Sequence, residues 1–126
     1  MEFTTAENGV KVVINPASLD DAFKLKSSIQ KAFKDNNLDP QQEISSGNIL
    51  PLIMAMDGST EVFDGIFACL AKSTYGGVKI TKEVFESEQS RSDLYEVFYY
   101  CLKVNIYPFF RSLSSLLNNL FAGKKD

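Results

Sequence analysis

The fold is decided by residues 93 to 121, which read DLYEVFYYCLKVNIYPFFRSLSSLLNNLF. Almost every position between residues 94 and 107 is apolar or aromatic, and the polar exceptions are Glu96, Lys103 and Asn105. A helix with this composition belongs at the centre of a domain or at a contact with another chain. Pro108 should end or kink it, because proline has no backbone N–H to donate. We therefore expect a buried central helix near residues 91–107.

A second amphipathic segment follows Pro108 and contains no acidic residue. Its apolar side chains recur at helical spacing, with serines and asparagines between them. Two interpretations stay open: a last helix docked on the core, or a stripe partly free for a partner, and one helix could do both. The candidate partner-binding residues are Tyr107, Phe109, Phe110, Leu113, Leu116, Leu117, Leu120 and Phe121.

Composition limits the function classes. The 126 residues with 44% apolar content fit one folded domain, 1–126. The net charge of −3 argues against an electrostatic nucleic-acid binder. No apolar run reaches the roughly 18 residues of a membrane span, and the N-terminus does not resemble a signal peptide. Cys69 and Cys101, each inside an apolar run, are expected to be buried free thiols in a reducing cytosol.

Catalytic and metal-binding patterns are weak. The chain has no histidine, which removes histidine-based acid–base catalysis and histidine-ligated metals. The segment 57–61, DGSTE, begins like a calcium loop, but Val62 stands where the sharp turn of that loop needs glycine. Gly76-Gly77 lacks the Lys-Ser/Thr of a phosphate-binding loop and is read as a tight turn. We expect neither an enzyme nor a bound cofactor or metal.

Local signals predict a mainly α fold with a small β part (α+β), in which an N-terminal β-hairpin packs on a bundle of about five to six helices. Asn8-Gly9 lies between two β-prone runs, as in a hairpin turn. Asn15 is expected to cap the first helix with Pro16 in its first turn. The stripe that this helix should bury consists of Leu19, Ala22, Phe23, Leu25, Ile29, Ala32 and Phe33.

Helix-capping and helix-breaking residues divide the chain between the first helix and the central helix into shorter elements. A loop is predicted over 36–47 and a helix over about 48–56, followed by a helix to about residue 72 that Ser59 or Thr60 caps. That helix should turn Val62, Phe63, Ile66, Phe67 and Leu70 inward. A turn with a short extended piece is expected over 75–80, then a brief helix to about residue 86. The segment 90–93 resembles a cap for the central helix.

Four blocks of sequence lie in order along almost the whole chain. They are VVINPAS at 12–18 with the helix after it, EVFDxIFxCL at 61–70, TYGGxKIT at 74–81 and CLKVNxxPFF at 101–110. Together they resemble a family of tail assembly chaperones of long-tailed bacteriophages and prophages. The stretch 54–59 departs from that pattern, which leaves the role of its turn open.

This resemblance implies a non-catalytic protein in the cytoplasm of the bacterial host that is absent from the mature virion. Such chaperones bind the long helical tape measure protein, keep it soluble and help recruit the tail tube protein. Homo-oligomers are compatible with this role. The alternative is a small acidic regulatory or antitoxin-like protein that sequesters one globular partner.

The C-terminus 122–126, AGKKD, is expected to be a flexible charged tail. In the family that the chain resembles, a longer product often arises when ribosomes slip back one nucleotide near the end of the gene. Gly-Lys-Lys can be encoded by a slippery run of adenines. The resemblance therefore implies that tube protein could be recruited through a frameshifted longer product.

Overall fold

The computed structural model describes residues 1–35 and 58–123, and it describes no side chains for 113–115 and 121–123. The predicted loop 36–47, the predicted helix 48–56 and residues 124–126 lie outside these ranges. The segment expected as a tail from residue 122 begins inside a helix, because Ala122 and Gly123 belong to the last one.

The β part is one antiparallel sheet of four short strands in chain order. The strands are β1 (Glu2–Thr4), β2 (Lys11–Val13), β3 (Thr74–Tyr75) and β4 (Val78–Lys79). The predicted N-terminal hairpin is confirmed, with Gly9 at φ +65° in its turn. Gly76 and Gly77 turn the second hairpin at φ +58° and +82°, the left-handed conformations of a two-residue hairpin loop. The sequence did not predict that Val12 pairs with Tyr75 and joins the two hairpins.

Helices make up most of the described chain, which confirms the mainly α prediction in outline. They are α1 (Leu19–Asp35), α2 (Thr60–Cys69), a 3₁₀ helix (Lys82–Phe85), α3 (Glu88–Arg91), α4 (Leu94–Asn105) and α5 (Tyr107–Gly123). The predicted cap Ser59 is confirmed, since its hydroxyl accepts the Val62 N–H at 3.2 Å. Helix α2 ends earlier than the expected residue 72. Pro108 lies in the first turn of α5, where a missing N–H costs little.

Helix α4 is the predicted central helix, with bounds slightly inside 91–107. Its buried residues are Val97, Phe98, Cys101, Leu102 and Asn105. Phe98 packs edge-on against Phe63 and Phe67 of α2, at ring-centroid distances of 5.8 and 5.5 Å. The hairpin packs on the same helix: Phe3 stacks on Tyr100 at 4.1 Å. A two-stranded hairpin needs such support, because alone it is marginally stable.

The predicted start of α1 is wrong by three residues. Ser18, not Asn15, caps the helix, because its hydroxyl accepts the Asp21 N–H at 3.2 Å. Asn15 instead ties the end of β2 to the turn after α2: its side chain donates to the Lys72 carbonyl and its N–H donates to the Ser73 hydroxyl. These longer-range partners leave Asn15 outside the helix.

The predicted buried stripe of α1 is too wide. Five of its seven residues are buried, but Leu19 is 69% exposed and Phe23 is 52% exposed. The five buried positions cover about 100° of the helix circumference, whereas all seven cover about 180°. The core takes the narrower arc, and Leu19 and Phe23 lie at its edge.

Asp93 does not cap α4 through its side chain, contrary to the expectation for 90–93. Its carboxyl is buried, and Oδ2 accepts a hydrogen bond from the Tyr75 hydroxyl at 2.5 Å. The capping serine in this region is Ser87, whose hydroxyl accepts the Ser90 N–H and starts the single-turn helix α3. Asp93 therefore links the second hairpin to the central helix.

Candidate protein-binding surface

The candidate partner-binding residues on α5 fall into three groups. Phe110 is 2% exposed and belongs to the hydrophobic core, so it is not part of the exposed surface of this structure. Tyr107 and Phe109 are half-buried in the first turn. Leu116, Leu117 and Leu120 are exposed, at 56%, 38% and 56%. The side chains of Leu113 and Phe121 lie outside the described set.

In the outer half of α5, residues 111–120, the described side chains are exposed on the polar and apolar sides alike. Arg111, Ser112 and all five residues from 116 to 120 are exposed. On a helical wheel, Phe109, Leu116 and Leu120 lie within about 40° of one another. An amphipathic helix this short gains little stability in water without packing of its apolar side. The outer half therefore presents an apolar stripe that no described part of the body covers.

The stripe continues onto α1 through a contact between two aromatic rings. Phe23 meets Phe109 edge-on, with ring centroids 5.8 Å apart. The Lys26 ammonium lies 4.8 Å from the Phe23 ring centroid, within the range of a cation–π interaction. Leu19 lies one turn before Phe23, so the two share a helix face. We call the set Leu19, Phe23, Phe109, Leu116 and Leu120 the apolar ridge.

An acidic groove runs beside the ridge, between α1 and α2. Its rim carries four carboxylates and one lysine: Asp20, Asp21, Glu61, Asp64 and Lys24. Lys82 pairs with Asp64 at 2.6 Å, and Lys31 approaches Glu61 at 3.9 Å. The apolar part of the lining includes Leu19 and Phe23 from the ridge. Apolar side chains and carboxylates therefore line the same groove.

The cysteines are buried and free, as expected. Burial raises the pKa of Cys69 to about 11, and the nearby Asp21 charge acts in the same direction. Burial also raises the pKa of Cys101 far above that of an exposed thiol. Both groups are therefore neutral thiols at pH 7 and poor nucleophiles.

Within residues 1–35 and 58–123, no three acidic or cysteine side chains are grouped so that they could hold a metal ion.

Two features of this surface were not found from the sequence. The exposure of Leu19 and Phe23 had only a weak signal, the excess width of the apolar arc on α1. The groove had no signal in the sequence, because it depends on how α1 and α2 pack.

Within the described ranges, no helix has the length and apolar character that a membrane crossing requires. Comparisons with protein-family models, curated proteins and solved structures find no match to this chain.

Proposed function

We propose that this protein is a tail assembly chaperone that binds a tape measure protein through the apolar ridge and keeps it soluble until tail tube protein polymerises around it. The observation that carries the proposal is the exposed apolar stripe on the outer half of α5. The sequence resemblance gives the class of client, and the ridge gives a physical means of holding it.

A long helical client exposes apolar stripes of its own before assembly. A helix that presents Leu116 and Leu120 can cover such a stripe by helix-to-helix packing. Burying the exposed half of a leucine side chain is worth about 1 kcal/mol, so Leu116 and Leu120 together with the neighbouring Leu117 contribute about 3 kcal/mol. This corresponds to about a hundredfold in affinity. Such contacts are strong enough to hold a segment and weak enough to be displaced when tube protein arrives.

Repetition along the client strengthens weak contacts. Several copies of the chaperone on one long client would gain from the high effective concentration of neighbouring sites. The net charge of −3 per chain would then accumulate along the complex and oppose its aggregation. The proposal places the protein in the host cytoplasm and outside the mature virion.

Co-expression with a tape measure protein tests the proposal. The variant replaces Leu116, Leu117 and Leu120 by glutamine, which keeps nearly the helix propensity of leucine. The matched control places three glutamines on the polar side of the same helix, at Ser112, Asn118 and Asn119. We expect the control to keep the client soluble and the leucine variant to lose most of the soluble, co-purifying client.

Two results would contradict the proposal. One is a soluble client in the presence of the leucine variant; the other is a client whose solubility does not depend on this protein at all. Thermal unfolding of both variants distinguishes surface from core. A stability loss above about 2 kcal/mol in the leucine variant alone would assign the stripe to the core instead.

A further inference from the structure

The groove between α1 and α2 has a shape that suits a helix. The two helices run antiparallel, because Leu25 faces Gly65 while Lys31, further along α1, faces Glu61, nearer the start of α2. A Cβ built on Gly65 would lie only 3.0 Å from Leu25 Cδ1, so the helices approach closely there. On the α2 side, the groove is lined by Gly65 and the exposed Ala68, whose small size leaves room above the helix backbone. A third helix could lie along it.

At one end of this groove two carboxylates, Asp20 and Asp21, face one cation, Lys24. Asp64 and Glu61 each have a lysine nearby, but no ion pair joins Asp20 or Asp21 to any described residue. The last turn of α2 carries no basic residue, so the negative end of its helix dipole adds to the negative charge at the same end of the groove. The Asp21 charge contributes to the raised pKa of Cys69, the last residue of α2. This end of the groove therefore attracts a cation.

Stabilisation of helix α1 explains part of this charge distribution, namely the positions of Asp20 and Asp21. Asp20 and Asp21 lie in the first turn of α1, where carboxylates stabilise the positive end of the helix dipole. That role does not explain why Leu19 and Phe23 stay exposed beside them, or why two more carboxylates line the opposite wall. Apolar and acidic groups on both walls of one groove are complementary to a partner of a specific kind.

We propose that the α1–α2 groove binds an amphipathic helix whose apolar residues are flanked by lysine or arginine. Its apolar side would lie against Leu19, Phe23 and Ala68, and its cations would face Asp20 and Asp21. The α1 wall from Leu19 to Ser28 is about 15 Å long, which matches about three turns of helix. The inference rests on the proposed function, since it specifies which segments of the client this protein would select: basic amphipathic ones.

The test uses a labelled synthetic peptide of about three helical turns, in which leucines at helical spacing are flanked by lysines. A twin peptide carries glutamates in place of the lysines. Fluorescence anisotropy measures the binding of each peptide to the full chain at low and high salt. We expect the lysine peptide to bind, its affinity to fall with salt, and the glutamate twin to bind at least about tenfold more weakly.

Three variants locate the site. Asp20→Asn with Asp21→Asn should lower affinity for the lysine peptide at least about fivefold. Ala68→Lys adds a cation to the opposite wall at an exposed helix position and should lower it similarly. The control, Glu7→Gln with Glu88→Gln, makes the same net-charge change as the aspartate pair at two exposed residues that do not line the groove, and should leave affinity within about twofold.

Unchanged affinity in the aspartate and Ala68 variants would overturn the inference, as would an equal loss in the control or equal binding of the glutamate twin. The outcome is separable from that of the proposed function. If the groove binds the lysine peptide but the protein does not solubilise a tape measure protein, only the chaperone function fails. If the client is held through α5 while the groove variants bind the peptide normally, only the groove assignment fails.

Discussion

The hydrogen bond between Tyr75 and Asp93 is a sharp test of how the second hairpin is held on the core. Asp93 is 1% exposed, and its Oδ2 accepts from the Tyr75 hydroxyl at 2.5 Å. In the described part of the chain, no group donates to its other oxygen, Oδ1. Tyr75→Phe removes this donor but keeps the ring, which packs on Phe85 with centroids 5.5 Å apart. The variant therefore isolates one hydrogen bond.

The expected loss follows from the burial of the acceptor. A hydrogen bond to a charged group contributes about 1.5–3 kcal/mol, and a buried group left without a partner costs toward the upper end of that range. We expect Tyr75→Phe to lower the free energy of unfolding by about 2–3 kcal/mol. Urea unfolding followed by circular dichroism measures it. The control is Tyr99→Phe on α4, where the ring is half-buried, and we expect a change below about 0.5 kcal/mol.

The same bond predicts a pH dependence. Burial raises the pKa of Tyr75 to about 12, and the hydrogen bond to Asp93 adds to the effect. An unfolded tyrosine titrates near pH 10. The folded state favours the neutral phenol, so its stabilisation is complete below about pH 10 and is lost as the pH rises through about 12.

Comparison with the Tyr75→Phe protein isolates this effect, because the contributions of all groups that the two proteins share cancel in the difference. The stability difference between the two proteins should be constant from neutral pH to about pH 10 and should shrink between about 10 and 12. A difference that stays constant across this interval would refute the argument. So would a Tyr75→Phe protein as stable as the Tyr99→Phe control.

Three further predictions concern the core. Phe98→Ala should cost about 3–5 kcal/mol in chemical denaturation because it opens a cavity at the centre of α4, and a loss below about 0.5 kcal/mol would contradict that placement. Asn105→Ala should lower the free energy of unfolding by about 1–3 kcal/mol, because two hydrogen bonds are lost. In the wild type, Asn105 Oδ1 accepts the Ala17 N–H at 2.8 Å and Nδ2 donates to the Cys101 carbonyl. A melting temperature equal to that of the wild type would refute this prediction. Cys69 and Cys101 should react with a thiol reagent only as fast as the protein unfolds, whereas rapid reaction of the native protein would show that they are accessible.

The parts of the fold that the sequence predicted correctly depend on neighbouring residues. Asn8-Gly9 forms a hairpin turn because Gly9 can adopt a positive φ at no cost. Ser59 caps α2 because its hydroxyl reaches an N–H three residues on. Helix α4 had to be central because its composition leaves little polar surface to face water. Each of these inferences needs only a short window of sequence.

The incorrect or missing predictions depend on residues far apart in the chain. The two hairpins form one sheet because Val12 pairs with Tyr75, and short strands carry too little pattern to identify a distant neighbour. Asp93 has a favourable residue type for a cap, but its carboxyl is used by Tyr75 instead. Asn15 is a good cap residue that bonds Lys72 and Ser73. In each case a long-range hydrogen bond replaces the local one that propensity favours.

The incorrect prediction that Leu19 and Phe23 of α1 are buried has a different cause, and it bears directly on the proposed function. A buried helix face and an exposed binding face produce the same hydrophobic periodicity, since both need apolar residues at helical spacing. On α1 the core occupies about 100° and the full apolar arc about 180°, which leaves Leu19 and Phe23 in excess of what the core buries. Their side chains are exposed where α1 meets Phe109 of α5 and where the acidic groove begins. An apolar arc that is wider than the core requires is therefore the sequence signal of the proposed binding surface. The packing of α1 against α2 and α5 is needed to tell which residues of that arc are buried in the core and which are exposed for binding.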